Sequence, residues 1–172
     1  ARKRKPQVLV SQGGGDVGRE LLSAAIGAAA RLPSLHFVLA CGSRTPTDHI
    51  EALRHSATSN NVEVVPFMPD FVQQLGESAL SINMGGDNTL LDVLATRTPS
   101  LAYAYQANPE QGIRIAAFAK KGLVHALNAD DLTPERLKAR IEHALAALPV
   151  QHHVAMDGAR VTSERILSIL DA

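Results

Sequence analysis

The stretch Val8-Leu9-Val10-Ser11-Gln12-Gly13-Gly14-Gly15-Asp16-Val17-Gly18 decides the fold. A short apolar run ends in a glycine loop, and Leu21, Leu22, Ala25, Ile26 and Ala29 then recur at helical spacing. Strand, glycine loop and helix in succession make the unit of a parallel sheet with crossover helices. Glycines let backbone amides approach an anion closely, and the helix start behind them adds partial positive charge. Neither standard phosphate motif fits. The loop lacks a Gly-Lys-Ser/Thr ending, and Gly13, Gly15 and Gly18 reach the dinucleotide spacing only by sliding across a triple glycine. Taken alone, the loop serves a structural turn equally well.

Working outward, the same unit returns. His36 to Ala40 and Val62 to Val65 read as strands around a helical segment from Asp48 to Ala57. Ala79 to Asn83 is a strand closed by Gly85-Gly86, and Asp87 to Thr96 is a helix. Ser100 to Tyr105 is a further strand; Pro109 opens a helix running to Lys121, which Gly122 stops as a left-handed cap would, and Leu123-Val124 is a short extension. Thr133 caps a helix that Pro134 opens and that ends near Leu148, and residues 153 to 170 form a last helix. The expected class is α/β, a Rossmann-like doubly wound parallel sheet with helices on both faces. Residues 1–6 are expected to be a linker or tail, 7–150 one ligand-binding domain, and 151–172 a C-terminal helix.

Bulk properties narrow the function. At 172 residues, one well-buried domain is the natural size. Seventeen basic and seventeen acidic side chains cancel, which removes a general electrostatic reason to seek nucleic acid. The basic run Arg2-Lys3-Arg4-Lys5 is expected to be solvated. The lone Cys41 ends an apolar strand, excludes an internal disulfide and fits a reducing, cytoplasmic setting as a small core side chain. No run approaches the eighteen or so apolar residues of a membrane span, and no signal peptide opens the chain. Because the chain starts at Ala1 and its first methionine is Met68, an N-terminal neighbour is expected to be missing. The histidines, His152-His153 and His36 among them, form no zinc-type pairing with a carboxylate and suit surface or capping roles, so no metal is expected.

Two further loops carry candidate chemistry. Asn83-Met84-Gly85-Gly86-Asp87-Asn88-Thr89-Leu90-Leu91-Asp92 leaves a strand through a glycine pair into a helix. The glycine amides with Thr89 suit a diphosphate, and Asp92, three residues on, suits the paired hydroxyls of a ribose. Helix capping by Asp87 or Asn88, with Asp92 a solvated acid, is the structural alternative. Gln106-Ala107-Asn108-Pro109-Glu110-Gln111 places neutral amides and a carboxylate at another helix start, a set matched to sugar hydroxyls.

The ordered series Val8-Leu-Val-Ser-Gln-Gly-Gly-Gly, Val65-Pro-Phe-Met-Pro-Asp, Met84-Gly-Gly-Asp-Asn-Thr-Leu-Leu-Asp92, Pro99, and Glu110-Gln111 through Gly122-Leu-Val resembles the C-terminal domain of glycosyltransferase family 28. That family has the GT-B fold and includes the enzyme that adds N-acetylglucosamine to lipid I. The run from Glu110-Gln111 through Arg114 to Gly122-Leu-Val is similar to a bacterial group of predicted glycosyltransferases with no assigned substrate.

The resemblance implies that Gly13, Gly14, Gly15, Gly85, Gly86, Asn88 and Thr89 face the donor diphosphate, that Phe67 and Met68 line the base pocket, that Asp92 holds the ribose, and that Glu110 and Gln111 meet the sugar. The ribose position is usually Glu, so Asp92 reaches one methylene less, and Ala104 stands where a proline is usual. The implied activity is transfer of a hexose from a nucleoside-diphosphate sugar, uridine favoured, to a hydroxyl acceptor. No cofactor is required, since helix starts after Gly15 and Gly86 would stabilise the leaving diphosphate. The implied partners are the nucleotide sugar and an N-terminal acceptor domain holding the catalytic base, with peripheral membrane association open to the whole protein. A nucleotide-sugar hydrolase or epimerase, a donor-binding subunit without activity of its own, and a nucleotide sensor are the alternatives.

Overall fold

Six strands, β1 (Lys5–Ser11), β2 (His36–Ala40), β3 (Val62–Val65), β4 (Ser78–Asn83), β5 (Ser100–Tyr103) and β6 (His125–Leu127), form one sheet in the order β3-β2-β1-β4-β5-β6. Every pairing among them is parallel. The computed structural model describes residues 4–15, 17–147 and 151–171. From β1 the chain winds outward to β3, returns to the middle at β4 and winds outward again to β6. The reversal falls between β1 and β4, and crevices at such reversals are where open parallel sheets bind ligands. The doubly wound class read from the sequence is the one observed.

Period-two alternation sends each strand's side chains to both faces, and both faces are covered. Val8, Val10, Leu80 and Ile82 point into a core shared with α1 (Arg19–Ala29) and α6 (Pro134–Ala146), where Leu21, Leu22, Leu137 and Ile141 are fully enclosed. Leu9, Val38 and Ala102 point the other way, against Leu75 of α3 (Phe71–Glu77), Leu90 and Val93 of α4 (Asp87–Thr96) and Ile115 of α5 (Pro109–Lys120). Aliphatic side chains and alanines fill most of this space, with Phe37 and Tyr103 the aromatic members of the buried core.

Several boundaries differ from the sequence reading. Helix α3 was not expected: it spans seven residues, has no side-chain cap, contains Gly76, and buries only Leu75, so it leaves no periodic signature. Strand β5 ends at Tyr103, and the last strand starts at His125; Leu123 and Val124 are buried but lead into it. Gly122 does end α5 with φ +67°, and Thr133 Oγ1 does cap α6 by accepting the Arg136 amide. Helix α2 (Thr47–Ser56) lies where expected, whereas α7 spans Gly158–Leu170 and begins five residues late. His152 instead sits in the preceding strap, its Nε2 donating to Leu94 O at 2.9 Å while Nδ1 accepts the Val154 amide at 3.3 Å. That pair of contacts ties the strap to the end of α4. Helix α6 ends at Ala146, two residues before the expected Leu148; Leu148 itself, with Arg2, Lys3 and Asp16, lies outside the described residues.

The basic N-terminus is not simply solvated. Arg4 donates to the carbonyls of Gly76 (2.9 Å), Ser78 (3.1 Å), Thr96 (2.8 Å) and Arg97 (3.0 Å) and to Thr98 Oγ1 (2.8 Å). One guanidinium thus satisfies the carbonyl ends of both α3 and α4, where helix dipoles favour a cation. Lys5 pairs with Glu77 at 2.6 Å.

Candidate functional site

Strand register places the two glycine turns side by side. Ser11, the last residue of β1, pairs with Ala40 of β2 and Asn83 of β4, so Gln12-Gly13-Gly14-Gly15 and Met84-Gly85-Gly86 leave the same rim from adjacent strands. One cavity, of about 170 Å³, is lined by residues of both turns, including Gly13, Gly14, Gly15, Gly86 and Thr89, with Gln111 at its edge. A second, of about 180 Å³, runs from the same Ser11, Gly13, Gly14 and Thr89 to Phe67, Met68 and Phe71. The two share a wall, giving one groove that extends from the end of β3 to the start of α5.

Each turn is held by its own device. Asn83 is buried, and its Nδ2 donates to Ser81 Oγ (3.0 Å) and Ser100 Oγ (2.9 Å) while Oδ1 accepts the Gly85 amide at 2.9 Å. That network pins Gly85 at φ +65°, against Ile115, where a side chain would collide. Helix α4 then starts at Gly86 with no side-chain cap. Capping by Asp87 or Asn88 is therefore not what is found: Asp87 is the first helical residue, and its carboxylate pairs with Arg114 of α5, which also reaches the Gly85 carbonyl at 3.4 Å. With the Asp87 charge offset, the free amides at this helix start keep their attraction for an anion.

The first turn is clasped by the loop after β2, which the sequence reading assigned no role. Thr45 Oγ1 accepts from Gln12 Nε2 (2.6 Å) and from the Gly42 amide (3.0 Å), and Arg44 Nε donates to the Gly14 carbonyl at 3.1 Å. Gly42 approaches so closely that a Cβ there would lie 2.3 Å from the Gly13 carbonyl oxygen. The pairing signal was spatial, because β1 and β2 had to be aligned before Cys41-Gly42-Ser43 could be seen to face the glycines. Helix α1 begins only at Arg19, behind Gly18 at φ +84°, so its first turn is set back from Gly15.

The remaining sequence candidates divide. Gly13, Gly14, Gly15, Gly86, Thr89, Phe67, Met68 and Gln111 all line the groove. Gln111 Oε1 accepts the Tyr105 amide at 3.0 Å, which leaves its NH2 group free to donate to a ligand. Gly85 supports the turn from behind, and Asn88, Asp92 and Glu110 line neither cavity. Partial burial raises the Asp92 carboxyl above its ordinary pKa. Cys41 borders the groove, yet burial lifts its thiol more than the opposing pull of Arg54 lowers it, so it stays protonated. Among the described residues no group of three or more His, Cys, Asp or Glu side chains could hold a metal ion.

A model of the glycosyltransferase family 28 C-terminal domain matches residues 9–162. The chain belongs to that family. Solved glycosyltransferases share the fold of this family 28 domain. MurG of Acinetobacter baumannii superposes with a TM-score of 0.74 at 18% identity, covering 97% of this chain and 51% of MurG. The calicheamicin glycosyltransferase gives 0.66 at 21%, covering 85% of this chain and 35% of that one. The spinosyn rhamnosyltransferase complexed with thymidine diphosphate gives 0.65 at 21%, covering 84% and 39%. The family 28 domain thus spans between about a third and about half of the length of these structures. No curated protein matches the chain.

Proposed function

We propose that this family 28 domain binds the donor of a glycosyltransferase that moves a hexose from a nucleoside-diphosphate sugar to a hydroxyl acceptor. The observation that carries the reading is the register of Ser11 with Asn83, which sends both glycine turns into one groove at the reversal of strand order. Amides of Gly13–Gly15 and the uncapped start of α4 at Gly86 take the diphosphate with Thr89, Phe67 and Met68 take the base, and Gln111 meets the sugar. Asn88 for the diphosphate, Asp92 for the ribose and Glu110 for the sugar lie outside both cavities, and their assignment rests on the family resemblance alone. Fixed amides stabilise the charge that gathers on the leaving diphosphate as the glycosidic bond breaks, so the chemistry needs no cofactor.

The catalytic base comes from a companion N-terminal domain. Helix α7 supports a companion: it buries no residue, and Ile166, Leu167, Ile169 and Leu170 form an exposed apolar face. Faces of this kind mark contact surfaces. The donor-binding domain then includes Arg4 and begins its sheet at Lys5, earlier than the expected boundary at residue 7, and 151–172 pack back on the companion.

Calorimetric titration with uridine, thymidine and guanosine diphosphate sugars tests the reading. Saturable binding to this chain, tightest for a uridine nucleotide and without turnover, is expected. Failure of all three to bind would overturn it, and turnover by the 172 residues alone would overturn the division of labour.

A further inference from the structure

The groove contains a hydroxyl with nothing to do. Ser11 is 5% exposed, and its Oγ has no hydrogen-bond partner among the described residues. Its neighbours in the row cannot supply one: Ala40 has no polar side chain, and the Asn83 carboxamide is spent on Ser81, Ser100 and the Gly85 amide. Buried hydroxyls are nearly always paired, and an unpaired one inside a ligand groove marks a contact that the ligand completes. Ser11 also belongs to the small set, with Gly13, Gly14 and Thr89, that lines both halves of the groove. It therefore stands where the base-side cavity meets the turn-side cavity.

Resting on the donor-binding reading above, we propose that Ser11 Oγ donates a hydrogen bond to the phosphate nearer the nucleoside. The surroundings suit an anion at this point, because Gly13 and Gly14 line the groove beside it and the uncapped first turn of α4, with Gly86 and Thr89, lines it as well. A phosphate oxygen has no proton to give, so the hydroxyl is the donor. Ser11 thus adds a neutral donor beneath the glycine amides, at the last position of the strand rather than in the loop itself. Rigid strand backbone fixes it in a way that a loop residue would not be fixed.

Ligand affinity and stability of the free protein should move in opposite directions in Ser11→Ala. Removing an unpaired buried hydroxyl leaves the melting temperature of the unliganded chain equal or higher. The same change should weaken a nucleoside monophosphate and the matching diphosphate by the same factor, about tenfold or more, because both carry the inner phosphate. Ser11→Thr, which keeps the hydroxyl, should restore binding of both. Uridine, thymidine and guanosine mono- and diphosphates are the probes, with calorimetry for affinity and thermal denaturation for stability. Should Ser11→Ala not fold, Ser11→Cys, similar in size but a poorer donor, carries the same comparison. Affinities of the variant within about twofold of the wild type would overturn the assignment, as would a loss confined to the diphosphate. Absence of any nucleotide binding by the wild type would instead overturn the donor-binding reading and this inference with it.

Discussion

Replacing Gly42 by alanine tests whether the loop after β2 sets the position of the first glycine turn. The Gly42 backbone is not in the left-handed region, so a methyl group meets no conformational penalty. Its obstacle is space: the new Cβ would lie 2.3 Å from the Gly13 oxygen, 2.7 Å from the Gly15 oxygen and 2.9 Å from the Gly14 carbonyl carbon. Carbon–oxygen contacts close at about 3.3 Å, so the turn must retreat by roughly 1 Å. All three obstacles are main chain, and no rotamer change relieves them. Overpacking of this kind costs about 1 to 3 kcal/mol of stability. A shift of that size also stretches an amide–phosphate hydrogen bond from about 2.9 Å to about 3.9 Å, beyond any useful length. Losing one such charge-assisted bond weakens a nucleoside diphosphate roughly ten- to hundred-fold. Urea denaturation and calorimetric titration on the same preparation measure both effects. A Gly42→Ala protein with wild-type stability and wild-type affinity would refute the clasp.

Gly76→Ala is the counterpart far from the groove: the added methyl would meet Thr96 Cγ2 at an ordinary 3.5 Å inside α3, so urea denaturation should show a gain of about 0.5 to 1 kcal/mol with nucleotide affinity unchanged. Asp92→Asn should weaken nucleotide binding by about 1 to 3 kcal/mol if the carboxylate holds the ribose, measured by calorimetry. The raised Asp92 pKa means the ionised form is disfavoured in the folded chain, so the same variant should melt no lower than wild type above pH 5 or so. At the far edge of the sheet, burial first, then His143 and Arg140, holds His125 below its ordinary 6.5. The unfolded chain takes up that proton first on acidification, so the stability tied to neutral His125 is present above pH 6.5 and is lost as pH falls through the folded value. His125→Gln should therefore show a smaller drop in urea midpoint between about pH 7.5 and pH 5.5 than wild type does.

Much of the fold was legible because its signals are local. Val8 to Ser11, His36 to Ala40 and Asn83 each end a run that a glycine or polar turn closes, and Pro109, Gly122, Thr133 and Pro134 punctuate the later helices by mechanisms that need no tertiary information. Helix α3 was hidden because its stability comes from Leu75 packing on the sheet and from Arg4, some seventy positions away, bonding to its last carbonyls. Strand β6 was read only as a short extension at Leu123-Val124, because that apolar pair is buried just before pairing begins at His125. For the groove, glycine-rich turns announced themselves, but their supports did not. Thr45, Gly42, Asn83 and the unpaired hydroxyl of Ser11 act across strand neighbours, and only the register brings them together. Arg114 lay within a quoted motif, yet its partner Asp87 is on another helix.

Backbone amide spectra of the 15N-labelled chain, recorded while a nucleoside diphosphate is added, test the shared groove most directly. The account predicts that Gly13, Gly14, Gly15, Gly86 and Thr89 shift together along one saturation curve, with Met68 following the same curve. Shifts confined to one turn, or two turns titrating with different midpoints, would contradict it.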